Sequence, residues 1–116
     1  MSRAKNLRFS EGETWVIDCV FLDADAEALD ITGATIQWRV ATRPGQAPLV
    51  TATTSNGLVD ITDATGGLAT ITVPYASHSS ATPATYLHEA RVELASGEVT
   101  VQFRGTLTVY DSIFVV

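Results

Sequence analysis

Hydrophobic residues fall on every second position over long stretches of this chain. Between positions 13 and 22, Trp15, Ile17, Cys19 and Phe21 share one face, with Asp18 among the residues on the other. That period of two predicts a half-buried strand. Ala34, Ile36, Trp38 and Val40 repeat the pattern against Thr35, Gln37 and Arg39, predicting a second strand. The most informative stretch runs from Tyr86 onward, where residues 86–94 and 99–109 read as two long strands around Ala95, Ser96, Gly97 and Glu98. With Ser96-Gly97 as a tight turn, Leu94 faces Val99, Val92 faces Val101, Ala90 faces Phe103, and Glu89 faces Arg104 on the wet side. Arg39 then falls on a strand neighbouring that pair, so the three residues read as a solvated charge ladder.

Short strands and turns fill the remainder. Arg43-Pro44-Gly45-Gln46, Ser55-Asn56-Gly57 and Asp63-Ala64-Thr65-Gly66-Gly67 are turn signals around short strands near 49–53, 58–61 and 68–73. Pro48 suits an edge strand, because it has no N–H to donate. Residues 75–83 form a Ser/Ala/Thr-rich loop with room for one helical turn, and residues 7–9 make a ragged first strand. No segment keeps a 3.6-residue period. About seven or eight strands of unequal length predict an all-β protein, an Ig-like antiparallel β-sandwich rather than a uniform barrel. Its expected core is Trp15, Ile17, Cys19, Phe21, Ile36, Trp38, Val40, Ile71, Val73, Tyr86, Ala90, Val92, Phe103, Leu107 and Val109. Tyr86, after a turn and at the start of a long strand, is placed like the tyrosine corner of Ig-like domains.

Size limits the picture to one domain, 1–116, large enough to bury a core without staples. With 46% hydrophobic and 17% charged residues the chain is a folded one, not a disordered one. Seven basic and thirteen acidic residues give a net charge of −6, the opposite of a phosphate-binding footprint, so nucleic acid is not an expected partner. Arg3, Lys5 and Arg8 concentrate positive charge in residues 1–8, which read as a basic arm. No apolar run approaches a membrane span, and no signal peptide is expected at the N-terminus. Residues 111–116 end on Ile113, Phe114, Val115 and Val116, an apolar tail that reads as a partner contact, with completion of the core as its alternative.

Candidate chemistry is sparse. Asp23, Asp25 and Glu27 alternate like calcium ligands, but Ala28 and Ala34 stand where an EF-hand loop needs Gly and Glu. Cys19 lacks basic neighbours and reads as an inert core thiol. His88 falls on the inward register opposite Gly105, whose missing side chain leaves room for an imidazole, and His78 lies in the Ser-rich loop. Ser79 and Ser80 form no nucleophile elbow, and Gly66-Gly67 no phosphate loop. The expectation is no enzyme, no cofactor, no metal and no catalytic residue. Trp15 and Trp38, in phase with aliphatic neighbours, read as core, which leaves Tyr75 and Tyr110 as the freer rings.

Three segments carry a resemblance. Gly12-Glu13-Thr14-Trp15-Val16-Ile17, Leu29-Asp30-Ile31-Thr32-Gly33-Ala34-Thr35-Ile36 and Arg104-Gly105-Thr106-Leu107-Thr108-Val109 are similar to recurring segments of small Ig-like domains of tailed phages and prophages. The chain most resembles the N-terminal domain of the baseplate upper protein family, with Thr85 where Gly usually precedes the tyrosine. The resemblance implies a non-enzymatic virion component, assembled in the bacterial host cytoplasm, that binds other virion proteins or itself as a homo-oligomer. Arg3, Lys5, Arg8, Ile113, Phe114, Val115 and Val116 are the expected contacts. A carbohydrate-binding Ig-like module is the alternative, and it requires exposed aromatic rings in a cleft.

Overall fold

In the computed structural model, which describes residues 3–113, alternation becomes two stacked sheets. The larger contains β1 (Arg3–Ala4), β2 (Leu7–Ser10), β4 (Thr35–Ala41), β5 (Val50–Thr53), β8 (Ala84–Glu93) and β9 (Val99–Tyr110), in the order β1-β9-β8-β4-β5 with β2 also beside β9. The smaller is β3 (Trp15–Val20), β7 (Leu68–Val73) and β6 (Val59–Asp63), in the order β3-β7-β6. From β3 to β9 the chain visits the sheets in the sequence small, large, large, small, small, large, large. That strand order, with the first strands returning beside the last, is an Ig-like sandwich. One helical turn, α1 (Tyr75–His78), bridges the sheets before β8.

Every residue of the predicted core is buried, and Ile31, Ala34, Val50, Ala52, Val59, Ala69 and Ala81 join it. Ala34 and Ala69 extend the inward faces of Ile36 and Ile71, and the other five lie in short strands and connections, where too few residues alternate to reveal a face. The tyrosine corner is present: the Tyr86 hydroxyl donates to the Thr82 carbonyl at 2.5 Å. Trp38 on β4 and Trp15 on β3 are both fully enclosed. The Trp15 ring lies between Phe9 (5.1 Å) and His78 (3.9 Å), and its buried N–H has no partner among the described residues.

The β8–β9 hairpin departs from the predicted register in half its length. Ala90 faces Phe103 and Glu89 faces Arg104 as predicted, but Val92 faces Thr100 and Glu93 faces Val99. The cause is a bulge at Gln102, which inserts one residue and turns its side chain inward beside Phe103. There Gln102 accepts the Leu22 N–H at 3.0 Å and donates to Thr100, so the buried amide is satisfied and ties the hairpin to the end of β3. The turn also differs from a two-residue Ser96-Gly97 connection. Leu94 N–H donates to Glu98 C=O and Gly97 N–H to Leu94 C=O, a three-residue loop whose last member, Gly97, takes φ +94°.

The basic N-terminal stretch is not a reaching arm over its described part. β1 and β2 run parallel to β9, pairing Arg3 with Phe103 and Ser10 with Tyr110. Between them the chain arches over Gly105, where a Cβ would collide with the Lys5 carbonyl oxygen. The room beside Gly105 is therefore filled by backbone, and His88 meets that backbone: its Nε2 lies 2.6 Å from the same carbonyl. Asn6 Oδ1 accepts the Thr106 N–H and completes the crossing.

Candidate functional site

Outward positions of three neighbouring strands build the most developed surface feature. Register places Arg39, Glu89 and Arg104 in one row across β4, β8 and β9, and Ala41, Leu87 and Thr106 in the next. Four residues beyond Arg39, the Arg43-Pro44-Gly45-Gln46 turn closes on itself, with Gln46 N–H donating to Arg43 C=O. Together the turn and the outer face of the sheet enclose a cleft of about 550 Å³, within the roughly 300–1,000 Å³ common for ligand sites. Pro44, Pro48 and Leu87 supply apolar wall, and Arg39, Arg43, Arg104 and Glu89 supply the charge.

That charge is unbalanced. Glu89 is shared by Arg91 (3.5 Å) and Arg104 (3.8 Å), a pair of exposed contacts each worth about 0–1 kcal/mol. Arg39 and Arg43 have no ion pair or hydrogen bond from their guanidinium groups among the described residues. In a chain of net charge −6, the cleft thus carries an excess of cations with no internal counter-charge. Such a surface accepts carboxylates, since a guanidinium fork pairs with both oxygens of one carboxylate. No Phe, Tyr or Trp ring lines it and the His88 imidazole at its floor is buried, so it offers no stacking platform for a sugar.

Of the residues expected from the sequence as contacts, Arg3, Lys5, Arg8 and Ile113 are described, and none lines this cleft. The Arg3 guanidinium donates to the Val20 carbonyl, and the Lys5 ammonium lies 3.4 Å from the Asp18 carbonyl and 5.4 Å above the Phe103 ring. Both cations cover the unpaired edge of β3. Arg8 stands exposed on β2 opposite Thr108. Ile113 is 91% exposed, so it is not core, whereas Phe114, Val115 and Val116 fall outside the described residues. Of the two free rings, Tyr75 and Tyr110 are each nearly half exposed.

The groups considered for chemistry are tied into structure. His88 accepts the Trp38 indole N–H on Nδ1 at 3.1 Å; because an indole only donates, the proton sits on Nε2 and is given to the Lys5 carbonyl. Burial lowers the His88 pKa below its ordinary 6.5, opposed by that backbone hydrogen bond. His78, expected in a loop, is buried against Trp15 and donates to the Glu13 carbonyl at 2.7 Å. Burial pushes the Cys19 thiol up to about 11. The Asp23 carboxylate is occupied by the amides of Asp25 and Glu27 in its own loop.

The Arg39–Glu89–Arg104 row is readable from the sequence but the cleft is not, because it exists only once the 43–48 turn folds beside the row. The available signal was an unpaired Arg43 placed four residues after Arg39 in a Pro-Gly turn. No protein-family model matches the chain, and no curated protein matches it either. Among solved structures it is similar to murine CRIg (8% identity, TM-score 0.45) and to the Ig1 domain of mouse SynCAM 2 (18% identity, TM-score 0.43), each likeness covering 92% of both chains.

Proposed function

We propose that this chain is a non-enzymatic assembly module whose arginine-lined cleft receives an acidic segment of a partner protein. The observation that carries this reading is the pair Arg39 and Arg43, two guanidinium groups in one cleft without a carboxylate of their own. Its proposed setting is a tailed-phage or prophage-like particle, supported by the three segments that resemble phage Ig-like domains. Exposed Ile113 adds a separate apolar point of contact beyond β9. The carbohydrate-binding alternative keeps only Tyr75 and Tyr110, since both tryptophans are enclosed.

Titration with a short Asp/Glu-rich peptide, followed by calorimetry and by the Arg side-chain NMR signals, tests the cleft. The peptide should bind and shift Arg39 and Arg43. Replacing both by Gln should weaken binding about tenfold, the loss of two charge-assisted contacts. Arg8→Gln, outside the cleft lining, should leave it unchanged. Equal binding by the Arg39→Gln/Arg43→Gln variant, or none by the native chain, removes the reading.

A further inference from the structure

We infer that the acidic segment seated in the cleft is the 23–30 loop of a second copy of this chain. The inference rests on the cleft being a carboxylate-accepting dock, and it names the occupant. Asp23, Asp25, Glu27 and Asp30 give this loop four acids and no base, and all four are exposed. The loop is held in shape before any partner arrives. Asp23 Oδ1 accepts the Asp25 and Glu27 amides, Asp23 N–H donates to Glu27 C=O at 2.8 Å, and Leu22 bridges to Ala28. A preformed loop loses less freedom on docking than a flexible one.

Charge is segregated over the rest of the molecule in the same sense. All seven basic residues lie in the larger sheet or its connections, whereas the smaller sheet carries Asp18, Asp60 and Asp63 with no base. Geometry excludes self-docking. The acidic loop precedes β4 and the cleft turn follows it, so they sit at opposite ends of a seven-residue strand, roughly 20 Å apart. A loop can therefore fill only the cleft of another copy. That contact joins two different surfaces, head to tail, and repeats into a closed ring or an open string of copies.

Sedimentation velocity on the full chain tests this directly. At about 0.01 M salt, where the screening length is about 30 Å, the chain should form concentration-dependent oligomers; about 0.5 M salt should dissolve them. Arg39→Glu/Arg43→Glu and Asp25→Lys/Glu27→Lys should each be monomeric, with circular dichroism confirming the fold; Asp23, which holds the loop in shape, is left in place. Mixing the two variants should restore association, because each then presents what the other lacks. Association that survives either reversal, or no association at low salt, overturns the inference. If the native chain stays monomeric while the acidic peptide binds, the self-docking falls and the cleft reading stands; if the peptide fails as well, both fall.

Discussion

At the scale of single residues, His88 is held from both sides of its ring. It holds Trp38 on one nitrogen and the Lys5 carbonyl on the other, so only the neutral ring satisfies both neighbours. A proton added at Nδ1 would face an indole N–H, donor against donor. Its pKa is lowered by burial, so below about 6.5 the unfolded chain takes up a proton that the folded chain resists. The unfolded state then binds more protons, and stability falls as the pH drops from 6.5 toward the folded pKa. Urea denaturation at pH 7.5 and at pH 5.5 should show a lower midpoint at the acid value. His88→Phe should flatten that difference and cost about 1–3 kcal/mol for each polar group left unpaired at pH 7.5. A variant retaining the native acid sensitivity would assign the effect to another group. Gln102 shows the complementary case, a buried polar side chain that stabilises because both ends of its amide are used.

Among the elements, β3 stands out as a six-residue edge strand whose free side faces the first strands of the larger sheet. Its outer face exposes Val16 and Val20, with Leu68 opposite Val20 on β7. An open edge beside exposed apolar residues invites pairing with another chain, and charged side chains laid along it oppose that. Arg3 and Lys5 occupy the Val20 and Asp18 carbonyls and serve that role. The Arg3→Ala/Lys5→Ala variant should aggregate more readily on mild heating, by light scattering, with little change in its midpoint of unfolding. Unchanged scattering would mean that the edge needs no cover. The basic charge of these residues was legible in the sequence; their destination was not. β1 and β2 pair with a strand about a hundred positions away, in parallel, and neither is long enough to show alternation. The long strands β3, β4, β8 and β9 were legible because each carries several same-face apolar residues. The Gln102 bulge was hidden because a glutamine between Val101 and Phe103 fits alternation unless its inward partner, the Leu22 amide, is known. The cleft was half legible: Arg39 and Arg104 share a predictable row, whereas Arg43 joins them only through the path of a turn.

For the whole molecule, one continuous core crosses both sheets and encloses Cys19. With its thiol raised to about 11 by burial, Cys19 should react with a thiol reagent only when the domain opens. At neutral pH the native chain should be modified at least about a thousandfold more slowly than the chain in denaturant, a ratio set by a folding free energy of ordinary size. Rapid modification would reveal an opening of β3 short of global unfolding. The sandwich is also long, 45 by 24 by 22 Å, and the first and last strands lie along each other in the same direction. Tension drawing the chain backward from Leu7 and forward from Tyr110 slides β2 against β9. It does not peel them apart. The four residue pairs from Leu7–Leu107 to Ser10–Tyr110 then bear the load together, while the β8–β9 hairpin is spared. Any machine that pulls on this domain by its two ends meets a clamp whose bonds must fail at once, so its mechanical strength resides in the four-residue pairing of β2 with β9.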